Sequence, residues 1–148
     1  MIIIKEDFIT NEDIDKLFSY FENNKNNCME WHGTYTLQLN DSFGYLGELI
    51  NEHAKQFGAK IDWGKFVHWP KGSFQPLHFD NASDKTILSS IIYLNEDYQG
   101  GQTYFEDKTV VAPRNKRALF FDGTKYKHGV APVTDGNRYT LAIWYKNI

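Results

Sequence analysis

From Ile61 to the C-terminus the chain is cut into short segments by turn-forming clusters, and this spacing limits the fold more than any single residue does. Lys71-Gly72-Ser73, Asn95-Glu96-Asp97, Gly100-Gly101, Asp122-Gly123 and Asp135-Gly136-Asn137 supply the residue types that enter tight turns at least cost. Between and around them lie eight strand-like segments, at 65–69, 77–80, 87–94, 102–105, 109–112, 117–121, 129–132 and 138–145. The connections are too short for helical crossovers between parallel strands, so the spacing predicts an antiparallel sandwich or barrel. Composition agrees. Eleven Phe, nine Tyr and four Trp make 16% of the residues, and aromatic side chains pack well on a pleated, half-buried surface.

The first part of the chain reads differently. Ile2-Ile3-Ile4 is a short buried strand. Thr10 precedes Glu12 and Asp13, a helix start with a capping hydroxyl and acids in the first turn. Ile14, Leu17, Phe18 and Phe21 then recur at helical spacing, and the Asn-rich stretch from Asn23 to Asn27 ends that helix. The stretch from Trp31 to Leu39 reads as one strand with polar alternation. A second helix is expected from near Ser42 to Phe57, with Gly58 as its C-terminal cap and Leu46, Leu49, Ile50 and Phe57 as its buried stripe. The expected fold is mainly β with N-terminal helices lying against one outer face of the sheet. At 148 residues, with no repeat and no linker, residues 1–148 form a single domain in this reading.

Several function classes are disfavoured at once. A net charge of −3 gives no electrostatic reason to expect nucleic acid or an anionic membrane as partner. The single Cys28 excludes an internal disulfide and a thiolate zinc cluster. Met1-Ile2-Ile3-Ile4 runs straight into Lys5, Glu6 and Asp7, too short for a signal peptide or a membrane span. The expectation is a soluble, cytoplasmic enzyme or binding module.

The chemistry gathers around Gln75-Pro76-Leu77-His78-Phe79-Asp80. In a strand, residues two apart share a face, which sets the His78 imidazole beside the Asp80 carboxylate and turns Phe79 the other way into packing. His128 opens a later strand and is the candidate third member. Two histidines and one carboxylate fill one face of an octahedral divalent ion and leave the rest open. Arg138 begins a final strand that is apolar on both faces and holds no carboxylate. A cation there either pairs with a distant acid or waits for a ligand carboxylate, which a guanidinium grips with two hydrogen bonds. Thr140, Ala142 and Trp144 share its parity, the profile of a pocket wall. Tyr93 ends a buried strand and either bonds to backbone or adds a second donor to the carboxylate at Arg138.

In order and spacing, several features resemble the iron- and 2-oxoglutarate-dependent oxygenases. They are His78-x-Asp80, Tyr93-Leu94-Asn95, Gly100-Gly101-Gln102-Thr103, Pro113 with Leu119-Phe120-Phe121, His128-Gly129-Val130, Arg138-Tyr139 and Trp144-Tyr145. Within that family the likeness is to the prolyl 4-hydroxylase branch, over roughly residues 66–145. The resemblance implies a double-stranded β-helix (jelly roll) backed by helices, with Fe(II) held by His78, Asp80 and His128. It also implies 2-oxoglutarate as cosubstrate, with its far carboxylate on Arg138 and Tyr93, O2 as co-reactant, and ascorbate as a candidate reductant. Hydroxylation of proline in a peptide or protein follows, with succinate and CO2 released. Trp69 and Gln75 stand where the family usually has tyrosines; with Trp144 they are the candidate substrate-pocket residues, and they leave substrate identity open. Free proline or another small molecule, and a metal-binding jelly roll without turnover, are the alternatives. His32, His53 and His68 lack a partner at ligand spacing and are expected to be structural or solvent-facing. The stretches 23–27 and 31–35 are candidates for a lid.

Overall fold

The computed structural model describes residues 1–39, 44–81 and 83–148. Thirteen strands form along them: β1 (Ile3–Lys5), β2 (Met29–Trp31), β3 (Thr34–Gln38), β4 (Ala59–Trp69), β5 (Gln75–His78), β6 (Leu88–Tyr93), β7 (Gln99–Gly100), β8 (Thr103–Phe105), β9 (Val110–Val111), β10 (Ala118–Phe121), β11 (His128–Val130), β12 (Val133–Asp135) and β13 (Arg138–Asn147). Seven of them build a large antiparallel sheet in the order β1-β10-β6-β13-β4-β3-β2. Four more, in the order β5-β11-β8-β9, make a smaller sheet, and β12 pairs with β7 as a short ribbon. This is the jelly roll expected from the resemblance.

Two cores hold the layers together. On the outer face of the large sheet, helices α1 (Asn11–Asn23) and α2 (Tyr45–Ala54) bury Ile14, Leu17, Phe21, Leu46 and Ile50 against Phe66, Ile92, Phe120, Leu141 and Ile143. Phe21 stacks on Phe66 with ring centroids 4.6 Å apart. The inner core lies between the sheets, where Tyr93, Leu119 and Phe121 meet Phe105 and Val111. A second inner cluster joins Val67 and Trp69 to Val130 and Val133. Alternation along β13 feeds both layers: Leu141, Ile143 and Tyr145 go outward, while Arg138, Thr140, Ala142 and Trp144 go inward.

Local signals account for most element ends. Thr10 caps α1 as read: its hydroxyl accepts from the Asp13 N–H at 3.0 Å, and the Asp13 carboxylate accepts from the Thr10 N–H at 2.9 Å. Gly58, at φ +67°, closes the turn after α2 as expected. The expected start of that helix near Ser42 lies outside the described residues. The expected single strand from Trp31 to Leu39 is instead a hairpin, β2–β3. His32 and Gly33 turn it at φ +50° and +81°, so both central residues are left-handed, as a two-residue hairpin of this twist requires. Strand β4 is longer than expected because β13 pairs with it throughout, from Arg138 opposite Trp69 to Asn147 opposite Ala59. The β7–β12 ribbon was not anticipated. It depends on Gly100, where a Cβ would come within 2.0 Å of the Pro132 carbonyl oxygen.

Tyr145 sits fully buried in the outer core, its hydroxyl 2.8 Å from Ser90 Oγ. Burial pushes its phenol well above the ordinary tyrosine range, against the hydrogen bond from Ser90. A folded-state pKa above the unfolded one means the stabilisation is complete below about pH 10 and is lost as pH rises from there. The expected slope is up to about 1.4 kcal/mol per pH unit. Thermal melts between pH 9 and 11.5 should therefore fall more steeply for the native chain than for Tyr145→Phe.

Candidate active site

The site begins with strand pairing. In the small sheet β5 runs antiparallel to β11, and the register sets His78 directly opposite His128. Fifty positions of chain are thereby closed into one cross-strand pair, with ring centroids 4.4 Å apart. Asp80 lies just past the end of β5, which stops at His78 rather than continuing to residue 80 as expected. Its backbone N–H donates to the Gly123 carbonyl at 2.8 Å, which brings the carboxylate alongside the pair without a strand. Asp80 Oδ1 stands 3.7 Å from His78 Nε2 and 3.3 Å from His128 Nε2. One ligand atom from each of the three residues falls within 4.8 Å of the others. Phe79 is not turned into packing. It is 45% exposed, lies at the cavity rim, and carries Lys127 Nζ over its ring.

Protonation follows from the partners. His78 Nδ1 is 2.8 Å from the Pro76 carbonyl oxygen, and His128 Nδ1 is 3.0 Å from that of Tyr126. Carbonyls only accept, so each Nδ1 carries the hydrogen and each Nε2 is turned toward Asp80. Backbone acceptors of this kind orient metal-ligating histidines. Burial raises the Asp80 pKa, but the neighbouring His128 and His78 and the hydrogen bond from Ser89 outweigh it and hold the carboxyl well below the usual carboxylate range. The donor set is thus two imidazole nitrogens and one ionised oxygen facing one point, which suits a divalent iron-type ion with open positions.

Two supports for Asp80 had no sequence signal strong enough to find them. Ser89, on β6 of the large sheet, donates its hydroxyl to Asp80 Oδ2 at 2.6 Å. Gly123 makes room for that oxygen: a Cβ there would lie 2.2 Å from Asp80 Oδ2 and 2.7 Å from Ser89 Oγ. Gly123→Ala must therefore displace the carboxylate. We expect metal affinity to drop by ~10- to 100-fold, the range seen for groups that orient a ligand, with Ser89→Ala at the lower end. Metal titration of the two variants checks this.

Arg138 enters from the large sheet, at the start of β13 opposite Trp69. It is 1% exposed. Its Nε donates to the Gly101 carbonyl at 3.0 Å and one NH2 group reaches Thr103 Oγ1 at 3.4 Å. The guanidinium carbon lies 4.8 Å from the Trp69 ring centroid and 5.3 Å from that of Tyr93. Among the described residues it forms no ion pair, so the distant-acid alternative finds no acid. A buried cation without a counterion is costly and is the mark of a site built for an anion. The Tyr93 hydroxyl bonds to Thr103 Oγ1, and Tyr93 does not line the cavity. It backs Thr103 and the guanidinium from behind. Thr103 stood in the sequence only as the end of the Gly100-Gly101-Gln102-Thr103 motif, and its place beside the arginine comes from the structure.

The three ligand candidates, Arg138, Trp69, Gln75 and Trp144 all line one cavity of about 820 Å³ between the sheets. Trp144 stacks on Trp63 at 4.2 Å. The buried indole N–H groups of Trp69 and Trp144 find no acceptor among the described residues, so the described walls hold donors in excess. The remaining histidines lie elsewhere. His68 is on the outer face, stacked on Tyr139 at 4.6 Å and bonded to Asn137 at 2.9 Å. His32 turns the β2–β3 hairpin. His53 is structural, its ring packed 4.6 Å from that of Phe120. The proposed lid stretches contribute Asn24, Asn27, Trp31 and Thr34 to the cavity wall.

A jelly roll with this triad and this arginine defines a class, and the chain belongs to it: the family model for the 2OG-Fe(II) oxygenase superfamily matches residues 64–146. Members of that superfamily use Fe(II), 2-oxoglutarate and O2. Among sequence relatives, human prolyl 3-hydroxylase 1 is 45% identical over 97 residues, covering 51% of this chain. The chain spans only 13% of that relative's length. Among solved structures, a Pseudomonas putida prolyl-4-hydroxylase superposes with TM-score 0.80 at 18% identity, covering 99% of this chain and 92% of the other. A Trichoplax adhaerens prolyl hydroxylase, in complex with a hypoxia inducible factor peptide fragment, gives TM-score 0.82 at 18% identity, covering 99% and 83%.

Proposed function

We propose that the chain is a 2-oxoglutarate-dependent dioxygenase that hydroxylates proline in a peptide or protein, releasing succinate and CO2. The observation that carries this is the meeting of His78, Asp80 and His128 in one cavity with an arginine that has no counterion among the described residues. The residues present fit the metal: both Nε2 atoms and Asp80 Oδ1 face one point, and each imidazole is locked by a carbonyl on its other nitrogen. When bound there, iron(II) with 2-oxoglutarate and oxygen supplies the oxidising power to take hydrogen from an unactivated C–H bond.

The chain's own part is placement. Arg138 receives the far carboxylate of 2-oxoglutarate, with Thr103 and Tyr93 fixing the guanidinium's plane and Trp69 covering its face. Ser89 and Gly123 hold the Asp80 carboxylate in register with the two imidazoles. Trp144, Trp69 and Gln75 shape the wall on which the substrate ring rests, and the apolar residues between the sheets keep water out. The relatives support proline as the target, and they include both 3- and 4-hydroxylases. Which ring carbon is attacked is read from the product.

The test is iron-dependent succinate release from 2-oxoglutarate, with and without proline-containing peptides and with and without ascorbate, followed by mass spectrometry for added oxygen. Peptide-stimulated turnover with 3- or 4-hydroxyproline as product is the expected result. Stimulation by free proline and by no peptide would move the substrate to the small-molecule class. Metal uptake without succinate would reduce the chain to a binding module.

A further inference from the structure

We propose that Lys65 anchors a carboxylate carried by the substrate itself, so that the cavity holds two anions at once, one at Arg138 and one at Lys65. This rests on the oxygenase reading and adds a substrate class to it. Lys65 lies on β4 with its side chain in the cavity, in the same inward parity as Trp63, Val67 and Trp69. Its ladder partner is Ala142, four positions along β13 from Arg138, or about 13 Å at strand rise. Arg138 occupies the deep end. Lys65 sits nearer the mouth, its ammonium 4.7 Å from the ring of Trp31, which is 44% exposed, and 5.5 Å from that of Trp144.

Nothing among the described residues neutralises it. Lys65 forms no ion pair, and Glu30, the acid at the rim, does not reach it. Asp80 attracts it, but that carboxylate is engaged by His78, His128 and Ser89. Burial lowers the Lys65 pKa and Asp80 opposes the shift. Two indole faces offset part of the lost hydration, yet they accept no hydrogen bond from a lysine with three donors. A long, flexible side chain beside an open mouth is free to reach water; this one rests inside the cavity, opposite an alanine that leaves space above it. The cosubstrate cannot satisfy it, because one end of 2-oxoglutarate is assigned to the metal and the other to Arg138. A carboxylate on the substrate can.

That carboxylate has three sources: an Asp or Glu side chain beside the target proline, a peptide C-terminus, or the α-carboxylate of a free amino acid. Binding separates them without turnover. Protein loaded with Mn(II) and 2-oxoglutarate under anaerobic conditions is titrated with four pairs of probes. These are a proline peptide with neighbouring Glu against its Gln twin, one with neighbouring Asp against its Asn twin, a free C-terminus against its amide, and L-proline against prolinamide. Tryptophan fluorescence follows binding, since Trp31 and Trp144 flank the ammonium.

We expect the acidic member of at least one pair to bind ~10- to 100-fold more tightly, the scale of a hydrogen bond to a charged group. Lys65→Met should erase that preference while changing the neutral member and 2-oxoglutarate less than about twofold, and Lys65→Arg should restore most of it. The pair that responds names the source. Equal binding of acid and neutral twins overturns the proposal. So does a Lys65→Met variant that weakens all probes alike with a lower melting temperature, since Lys65 would then merely tie the β2–β3 hairpin to β13. The oxygenase reading fails separately, by the absence of succinate from the native chain.

Discussion

Arg138→Met is expected to weaken 2-oxoglutarate binding by ~30- to 3000-fold, as truncating one partner of a buried, hydrogen-bonded charge pair does. The same change removes a charge that has no counterion among the described residues. Its melting temperature without cosubstrate should therefore hold or rise, because a buried cation replaced by an apolar chain of similar size is often neutral or stabilising. The two effects have opposite signs, and their combination is the signature. The native chain should gain about 2.7 kcal/mol of stability at 2-oxoglutarate concentrations a hundredfold above Kd, and the variant no more than about 0.9 kcal/mol at that concentration. A variant that melts as much higher in 2-oxoglutarate as the native chain does, or one that unfolds without it, would sink the assignment. The second outcome would make the guanidinium a structural strut for Gly101 and Thr103.

Asp80→Ala should be more severe than Gly123→Ala. Among the described residues the Asp80 carboxylate is the only charged oxygen facing the two Nε2 atoms, and Ser89 with the Gly123 backbone seats it. Losing it leaves two imidazoles with no anion between them, so metal affinity should fall by more than ~100-fold, beyond the range of changes that only reorient a ligand. Metal content after dialysis against limiting iron reads the loss directly, and succinate release should become undetectable. Retention of iron at native stoichiometry by the alanine variant would remove this residue from the ligand set.

Much of this was visible in the chain itself because the informative residues are costly where they stand. Arg138 declared itself by occupying a strand apolar on both faces, and Gly100-Gly101, Asp122-Gly123 and Asp135-Gly136 marked segment ends that the structure keeps to within a few residues. His78 and His128 were legible as partners only by supposing that hairpins fold back, and the β5–β11 register does that. What stayed hidden has physical reasons. The His32-Gly33 turn lacks the usual Asn or Asp before its glycine, so a hairpin read as one strand. The two strands of the β7–β12 ribbon, two and three residues long, are too short to carry a period. Ser89, Thr103 and Gly123 act by contact across the gap between sheets, and no local pattern encodes a contact of that kind. Lys65 was within reach: it shares parity with Trp69, the wall position already singled out, but a lysine at the start of a candidate strand looks like a solvated end.

The division of labour between the two sheets has a geometric consequence. His78 and His128 ride on the small sheet, whereas Arg138, Lys65 and Trp144 ride on the large one. Phe105 and Val111 pressed against Leu119 and Phe121, and Val130 and Val133 against Val67 and Trp69, act as shims that set the clearance between the two halves. The reach from reacting centre to target carbon is therefore gauged by side chains that neither ligate nor react, and thinning one shim by a methylene would retune which carbon comes into range.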